Sequence, residues 1–203
     1  MGQPKTIAVF SGKGGVGKST IAAALAVAAG DSIILDADPQ ATLATWGDRR
    51  NQEPSVLTVP MSRVGLTAAK LQTRYAFIDT PGALVGGVLD VLRAADLVLV
   101  PTPIDQFDLD ALGGTLDALS MAGRPSALVI NRLHPSATAE TALEIVQDIG
   151  CAVCPIVVRE RASHKRAAID GLTALESEPN SPAALEIQQV WNWLQQQLEG
   201  ALS

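Results

Sequence analysis

Gly12-Lys13-Gly14-Gly15-Val16-Gly17-Lys18-Ser19 places four glycines and two lysines in eight residues and fits the spacing G-x-x-x-x-G-K-[ST]. Glycines let successive backbone N–H groups converge on phosphate oxygens, and a helix starting at the end of the loop adds its positive dipole end. Lys18 is placed to bridge the β- and γ-phosphates, Ser19 to offer its hydroxyl to Mg²⁺, and Gly12, Gly14, Gly15, Val16, Gly17 and Thr20 complete the cradle. The bland alternative is a glycine-rich turn. Lys13 is an additional lysine that phosphate binding of this kind does not need.

Three carboxylates invite the same chemistry. Asp36 and Asp79 each end an apolar run, Ser32 to Leu35 and Tyr75 to Ile78, and a carboxylate so placed must find a cation or hydrogen-bond donors. Asp38 follows two residues after Asp36. Capping of the following helix is the competing role for Asp36 and Asp38.

The elements that must hold these residues are legible as alternation. An apolar run over 5–11 leads into the glycine loop, and Ile21 to Gly30 then reads as a helix. Further apolar runs at 32–35, 75–78, 97–100, 127–130 and 152–158 complete a series in which strands alternate with helical patterns. Near-continuous apolar strands imply a parallel sheet covered on both faces, so the expected fold class is α/β, doubly wound, with a mostly parallel sheet and helices on both sides. The last helix is expected from Ser181-Pro182 to about Leu198, with Leu185, Ile187, Val190, Trp191, Leu194 and Leu198 along its buried face. Residues 51–60 read as an irregular excursion.

Composition narrows the classes. The chain has 203 residues, 47% hydrophobic and 18% charged, which suits one globular domain over 1–203 and excludes disorder and collagen. No apolar run reaches bilayer length and the first residues lack a secretory pattern, so the expected location is cytoplasmic. With a net charge of −6, any affinity for nucleic acid has to come from a local basic surface.

Lys13-Gly-Gly-Val-Gly-Lys-Ser19, Asp36-Ala-Asp38-Pro-Gln40 and Phe77-Ile-Asp-Thr-Pro-Gly82 occur in that order, and together they resemble the ParA/MinD family of deviant Walker A ATPases. The resemblance extends more weakly to Pro101-Thr-Pro103 and to Val129-Ile-Asn131-Arg132. It implies a P-loop NTPase that uses ATP and Mg²⁺. Lys13 would reach across an ATP-bound homodimer to the partner's phosphates, Asp36 and Asp79 would serve Mg²⁺ through its water shell, and Asp38 would position the attacking water. Asn131 becomes a candidate for the adenine edge. No helix-turn-helix extension is read before Lys5, so the resemblance is to short ParA-type proteins. These act in partition or positioning with a ParB-like or other cargo adaptor; plasmid, chromosome, chemoreceptor cluster and protein compartment all stay open as cargo.

The segment 159–166, Arg-Glu-Arg-Ala-Ser-His-Lys-Arg, carries four basic residues against one acidic. In ParA-like proteins this region binds nonspecific DNA, which makes Arg159, Arg161, Lys165 and Arg166 candidates for phosphate contact, with Arg132 as an outlying fifth. The alternative is a solvated helix face or ion pairs near the nucleotide. A MinD-like membrane reading needs a basic amphipathic C-terminus, yet 167–203 holds five acidic residues and no Lys or Arg, so no membrane partner is expected. A metal- or protein-delivering switch could use Cys151 and Cys154, although i and i+3 on a strand face opposite ways. The acidic residues Asp105, Asp108, Asp110 and Asp117 read as an exposed face, and no arginine finger is identifiable.

Overall fold

The structure is a computed structural model that describes residues 3–105, 109 and 111–200. In chain order the strands are β1 (Lys5–Val9), β2 (Ser32–Asp36), β3 (Val56–Thr58), β4 (Tyr75–Asp79), β5 (Leu97–Thr102), β6 (Ser126–Ile130) and β7 (Ala152–Val153). The helices are α1 (Lys18–Ala29), α2 (Thr42–Gly47), α3 (Val64–Ala68), α4 (Val88–Ala94), α5 (Leu112–Ala122), α6 (Ala139–Val146), α7 (Ala162–Ile169), α8 (Ala174–Ser177) and α9 (Pro182–Gly200). The strands form one parallel sheet in the order β3-β2-β4-β1-β5-β6-β7. The doubly wound α/β expectation therefore holds.

Strand periodicity divides the core. Ile7, Val9, Ile34, Phe77, Leu99 and Val129 point to the face covered by α1 and α9, while Ala8, Leu35, Ile78, Val98 and Leu128 point to the face covered by α3 to α6. Alanines 22, 23, 24 and 26 are buried and let α1 lie close to the sheet. Trp191 of α9 packs edge-on to Tyr75, ring centres 4.8 Å apart, and also meets Phe77 at 5.7 Å.

Register places the carboxylates. Asp36 and Asp79 end adjacent strands directly opposite one another, and Val9, the last residue of β1, lies opposite Asp79 on its other side. The loop leaving β1 thus begins beside both acids, at the carboxyl ends of the strands where the chain departs to either side of β1. Open α/β sheets bind ligands in that crevice.

Three details differ from the sequence expectation. Residues 56–58 form an edge strand within the supposed irregular excursion; it is three residues long and flanked by Pro54 and Pro60, too short to show alternation. The 152–158 run pairs as a strand only at Ala152–Val153, since Pro155 has no N–H to donate, though the Cys154 and Val158 amides still donate to Leu128 and Ile130 carbonyls. Leu185 is 53% exposed, because two residues before Ile187 is nearly the opposite side of a helix, and Ala183 and Ala184 are buried in its stead. Asp105 and Asp117 are exposed as expected; Asp108 and Asp110 lie outside the described residues.

Candidate nucleotide site

The loop from Gly12 is shaped by side chains from distant elements. Two of its carbonyls are held from outside, Asn131 Nδ2 donating to Val16 at 2.7 Å and Arg132 Nη1 to Gly15 at 2.8 Å, and one from within, Lys18 Nζ donating to Lys13 at 3.2 Å. The Gly12 amide donates to Thr115 Oγ1 on α5 at 3.0 Å. Val16 is buried. Gly17 has φ +93°, and a Cβ there would lie 2.3 Å from Asn131 Nδ2, so only glycine fits at the start of α1. No side chain caps that helix start and no acidic residue occupies its first turn, which leaves a positive dipole end facing the loop.

Beneath the loop the charges are poorly matched by protein. Ser19 Oγ donates to Asp79 Oδ2 at 2.6 Å, while Asp79 Oδ1 is buried without a hydrogen-bond partner. Burial pushes the Asp79 carboxyl up to about 7, opposed by the Ser19 hydrogen bond and Lys18 and reinforced by Asp36 and Asp38. The Lys18 ammonium is also buried, which lowers its pKa against the pull of Asp79 and Asp38. A hydroxyl and an orphaned carboxylate oxygen form an oxygen donor set that fits a hard cation such as Mg²⁺, which takes few protein ligands and keeps water or phosphate for the rest. Among the described residues no three His, Cys, Asp or Glu cluster as a metal cage, which is compatible with such sparse ligation.

The other two carboxylates are differently engaged. Asp36 Oδ2 accepts the Ala44 amide at 2.8 Å and Oδ1 the Asp38 amide at 3.2 Å, so Asp36 caps α2 from the end of β2. Burial raises its pKa, with these backbone donors working against the rise. Asp38 is half-buried and accepts the Gln40 amide at 2.9 Å.

A hollow of about 230 Å³ beside the loop joins Gly15, Gly17, Thr20 and Asn131 to Arg159, Arg161 and Lys165. The basic segment therefore lies against the nucleotide loop, and each of its cations has a partner. Arg161 forms a two-pronged contact with Glu186 at 2.6 and 3.2 Å, a pairing that raises its pKa, and the Arg159 amide donates to the same carboxylate. Arg159 Nη1 donates to the Ala137 carbonyl at 3.0 Å, Lys165 pairs with Glu160 at 3.1 Å, and Arg166 pairs with Glu178 at 2.8 Å. Arg132 approaches Glu160 at 3.7 Å, and hydrogen bonding from Lys165 holds the Glu160 carboxyl low. The Asn131 amide, expected at the adenine edge, is committed through its nitrogen to Val16. Lys13, half-buried, lines the opposite side of the loop beside Pro103 and Asp105.

Thr115, Gly82 and Glu186 carry roles that sequence reasoning did not assign. Gly82 lies so near the loop that a Cβ would sit 2.8 Å from Gly14 Cα and 3.1 Å from Lys18 Nζ. Only Gly82 had a local signal, by following Asp79 in a Pro-Gly turn. Cys151 packs on one face of the sheet and Cys154 on the other, and burial raises both thiol pKa values, Cys154 to about 12.

A glycine loop on the central strand, a lysine over buried carboxylates and a bare helix start define a P-loop nucleotide-binding protein. A model of the CobQ/CobB/MinD/ParA nucleotide binding domain matches residues 7–174, and the chain belongs to this ParA/MinD family of ATPases. It is 31% identical over 183 residues to the maintenance of carboxysome distribution protein A of Gloeobacter kilaueensis, covering 85% of each chain. Among solved structures it resembles a Cyanothece McdA variant in complex with ATP, with TM-score 0.73 and 19% identity over 98% of both chains. It also resembles the septum site-determining protein MinD of Pyrococcus horikoshii complexed with Mg-ADP, with TM-score 0.73 and 18% identity over 94% of this chain and 96% of that one.

Proposed function

We propose that this chain is a Mg²⁺-dependent ATPase that distributes a cargo: ATP drives a homodimer, the dimer holds nonspecific DNA, and a cargo-bound adaptor of ParB-like or other type stimulates hydrolysis and release. The reading makes it a single-domain protein of the cytoplasm, nucleoid-associated in the ATP state. The observation that carries it is the presence of two lysines in one loop, Lys18 buried over Asp79 and Lys13 on the loop's other side. Ser19 and Asp79 would hold Mg²⁺, with Asp36 serving it through water, and the ion would supply a hard positive charge for the phosphates. Lys18 holds the terminal phosphates, Asn131, Arg132 and Thr115 keep the cradle in shape, and Asp38 orients the attacking water. The name of the Gloeobacter relative favours a protein compartment as cargo.

The two lysines separate in one experiment. Lys18→Ala should lower ATP affinity by roughly 100-fold or more, since it deletes the charge that meets the phosphates. Lys13→Ala should retain ATP in titration calorimetry but lose ATP-dependent dimerisation and turnover. Parental dimerisation and hydrolysis in Lys13→Ala would remove the cross-subunit role.

The paired state of Arg159, Arg161, Lys165 and Arg166 favours a second reading, a nucleotide switch that delivers a protein or metal centre without touching DNA. Retention on mixed-sequence DNA with ATP, together with metal content after purification, separates the two. Salt-sensitive retention without bound metal supports distribution on DNA; metal at one per dimer with no retention supports delivery.

A further inference from the structure

Among the described residues two cations are buried, Lys18 in the nucleotide loop and Arg50 just beyond the far end of α2. The nucleotide accounts for Lys18; nothing in the proposed chemistry touches Arg50. Its guanidinium nonetheless makes four hydrogen bonds within the protein. Nε donates to the Gln52 carbonyl at 2.9 Å, Nη1 to the Gly171 carbonyl at 2.7 Å, and Nη2 to the Glu53 carbonyl and to Glu176 Oε1, the latter at 2.8 Å. The plane stacks on Trp46, 4.3 Å from the ring centre, and the Trp46 indole N–H donates to the Leu172 carbonyl at 3.2 Å. Glu176 uses its other oxygen in the capping box that starts α8 with Thr173. Gly171 has φ +69°, and a Cβ there would sit 2.8 Å from the backbone of Arg49 and Arg50, so the two chain segments touch directly.

The other end of α2 is tied to the site. Its Ala44 amide is bonded to Asp36, and the Ala41 amide to the Asp38 carbonyl, with Ala41 itself at φ +50°. Six helical residues rise about 9 Å, so α2 is a short rigid strut with the two carboxylates at one end and the Arg50 clasp at the other. The strut cannot shift or turn without breaking one set of bonds.

We infer that Arg50 is a positioning residue for ATP hydrolysis: by clamping α2 to the connection between α7 and α8, it fixes where Asp36 and Asp38 stand relative to the phosphates. This rests on the hydrolysis proposed above, and acts on turnover rather than on nucleotide affinity, because the loop's own braces, Thr115, Asn131 and Arg132, lie elsewhere.

The test compares the full-length parent with Arg50→Met, which keeps the aliphatic stem, and with Arg50→Lys. Three quantities are read: hydrogen exchange at the Ala44 amide without nucleotide, and kcat and KM for ATP. In Arg50→Met the Ala44 amide should exchange at least tenfold faster, and kcat should fall roughly 10- to 100-fold, the cost of a displacement of about an ångström at a reacting centre. KM should stay within about twofold, and Arg50→Lys should recover little, since an ammonium cannot reproduce the fork. If Arg50→Met does not fold, Trp46→Phe keeps the packing and removes the Leu172 bond, and should show the same pattern at about two- to fivefold. An unchanged Ala44 exchange rate in whichever variant folds overturns the inference. So does a fall in kcat accompanied by an equal rise in KM and in exchange across the nucleotide loop, which would mark general loosening. A parent that hydrolyses no ATP would sink the proposed function, while the exchange measurement still decides whether the clasp holds the strut.

Discussion

Beneath the nucleotide loop, Asp79 keeps one buried oxygen with no donor, and Lys18 is buried with its ammonium donating to the Lys13 carbonyl. Beside the same loop, residues 159–166 carry four basic side chains, yet every one of them has an acceptor, in Glu160, Glu178, Glu186 or a backbone carbonyl. Leaving a buried polar group unsatisfied costs about 1–3 kcal/mol, whereas an exposed ion pair is worth about 0–1 kcal/mol. The first region is therefore incomplete without a ligand, and the second is complete without one. For the second to hold phosphates, its cations have to be shared with acceptors already in place. A cluster of charges in a sequence is thus a weaker sign of a binding surface than a cluster of unsatisfied charges in a fold.

The sharpest way to break the first region is to crowd it. In Gly82→Ala the new methyl would meet Gly14 Cα at 2.8 Å, and neither backbone can yield freely. Overpacking of this kind costs about 1–3 kcal/mol, and the displaced loop should lose ATP affinity by roughly tenfold or more, read by titration calorimetry beside a melting curve. Parental affinity would show that the loop has slack the structure does not suggest.

Opening the second region should expose what its pairing withholds. Glu186→Gln removes the charge that holds Arg161, so retention on mixed-sequence duplex should rise and its log–log salt dependence should steepen by up to about 0.9, one phosphate contact. Weaker retention in this variant would mean that Glu186 places the segment for DNA rather than withholding a cation from it. Lys165→Ala with Arg166→Ala should move the slope the other way.

The smallest effect concerns His164, which lines the hollow from α7 with Nε2 buried and unpartnered. Burial lowers its pKa below the usual 6.5, with Glu186 opposing and Arg161 assisting. The folded protein then binds fewer protons than the unfolded chain, so the stability that His164 contributes is present above about pH 6.5 and is lost as pH falls toward the lowered value. His164→Gln should lose less in melting temperature between pH 7 and pH 5 than the parent does. An equal loss would mean that the ring takes its proton in the folded state without penalty.

Legibility followed chain locality. The glycine loop, Lys18, Ser19 and the strand-ending acids Asp36 and Asp79 were readable because their residues are contiguous or close an apolar run. Thr115 reaches Gly12 across 103 positions and Arg50 reaches Glu176 across 126, and no periodicity marks such partners. Asp36 shows the limit within a correct placement: its position was readable, while its bonds to the Ala44 and Asp38 amides depend on where α2 docks. The basic run 159–166 was visible, but its neutralisation by Glu178 and Glu186 depends on helices that the local charge pattern cannot place.

The seating of β1 bears on how the protein is made. It is synthesised before the other six strands, yet it lies in the middle of the sheet, with Lys5 opposite Tyr75 and Ile7 opposite both Phe77 and Leu97. Neighbours this far apart in the chain make pairing slow, and a nascent chain without them has no groove for the strand to fill. The braces of its loop come later still, Thr115 from α5 and Asn131 and Arg132 after β6. The loop therefore lacks these braces until the chain has been made through Arg132. A product truncated before that point should bind ATP far more weakly in titration calorimetry than the whole chain does, however intact its glycine motif.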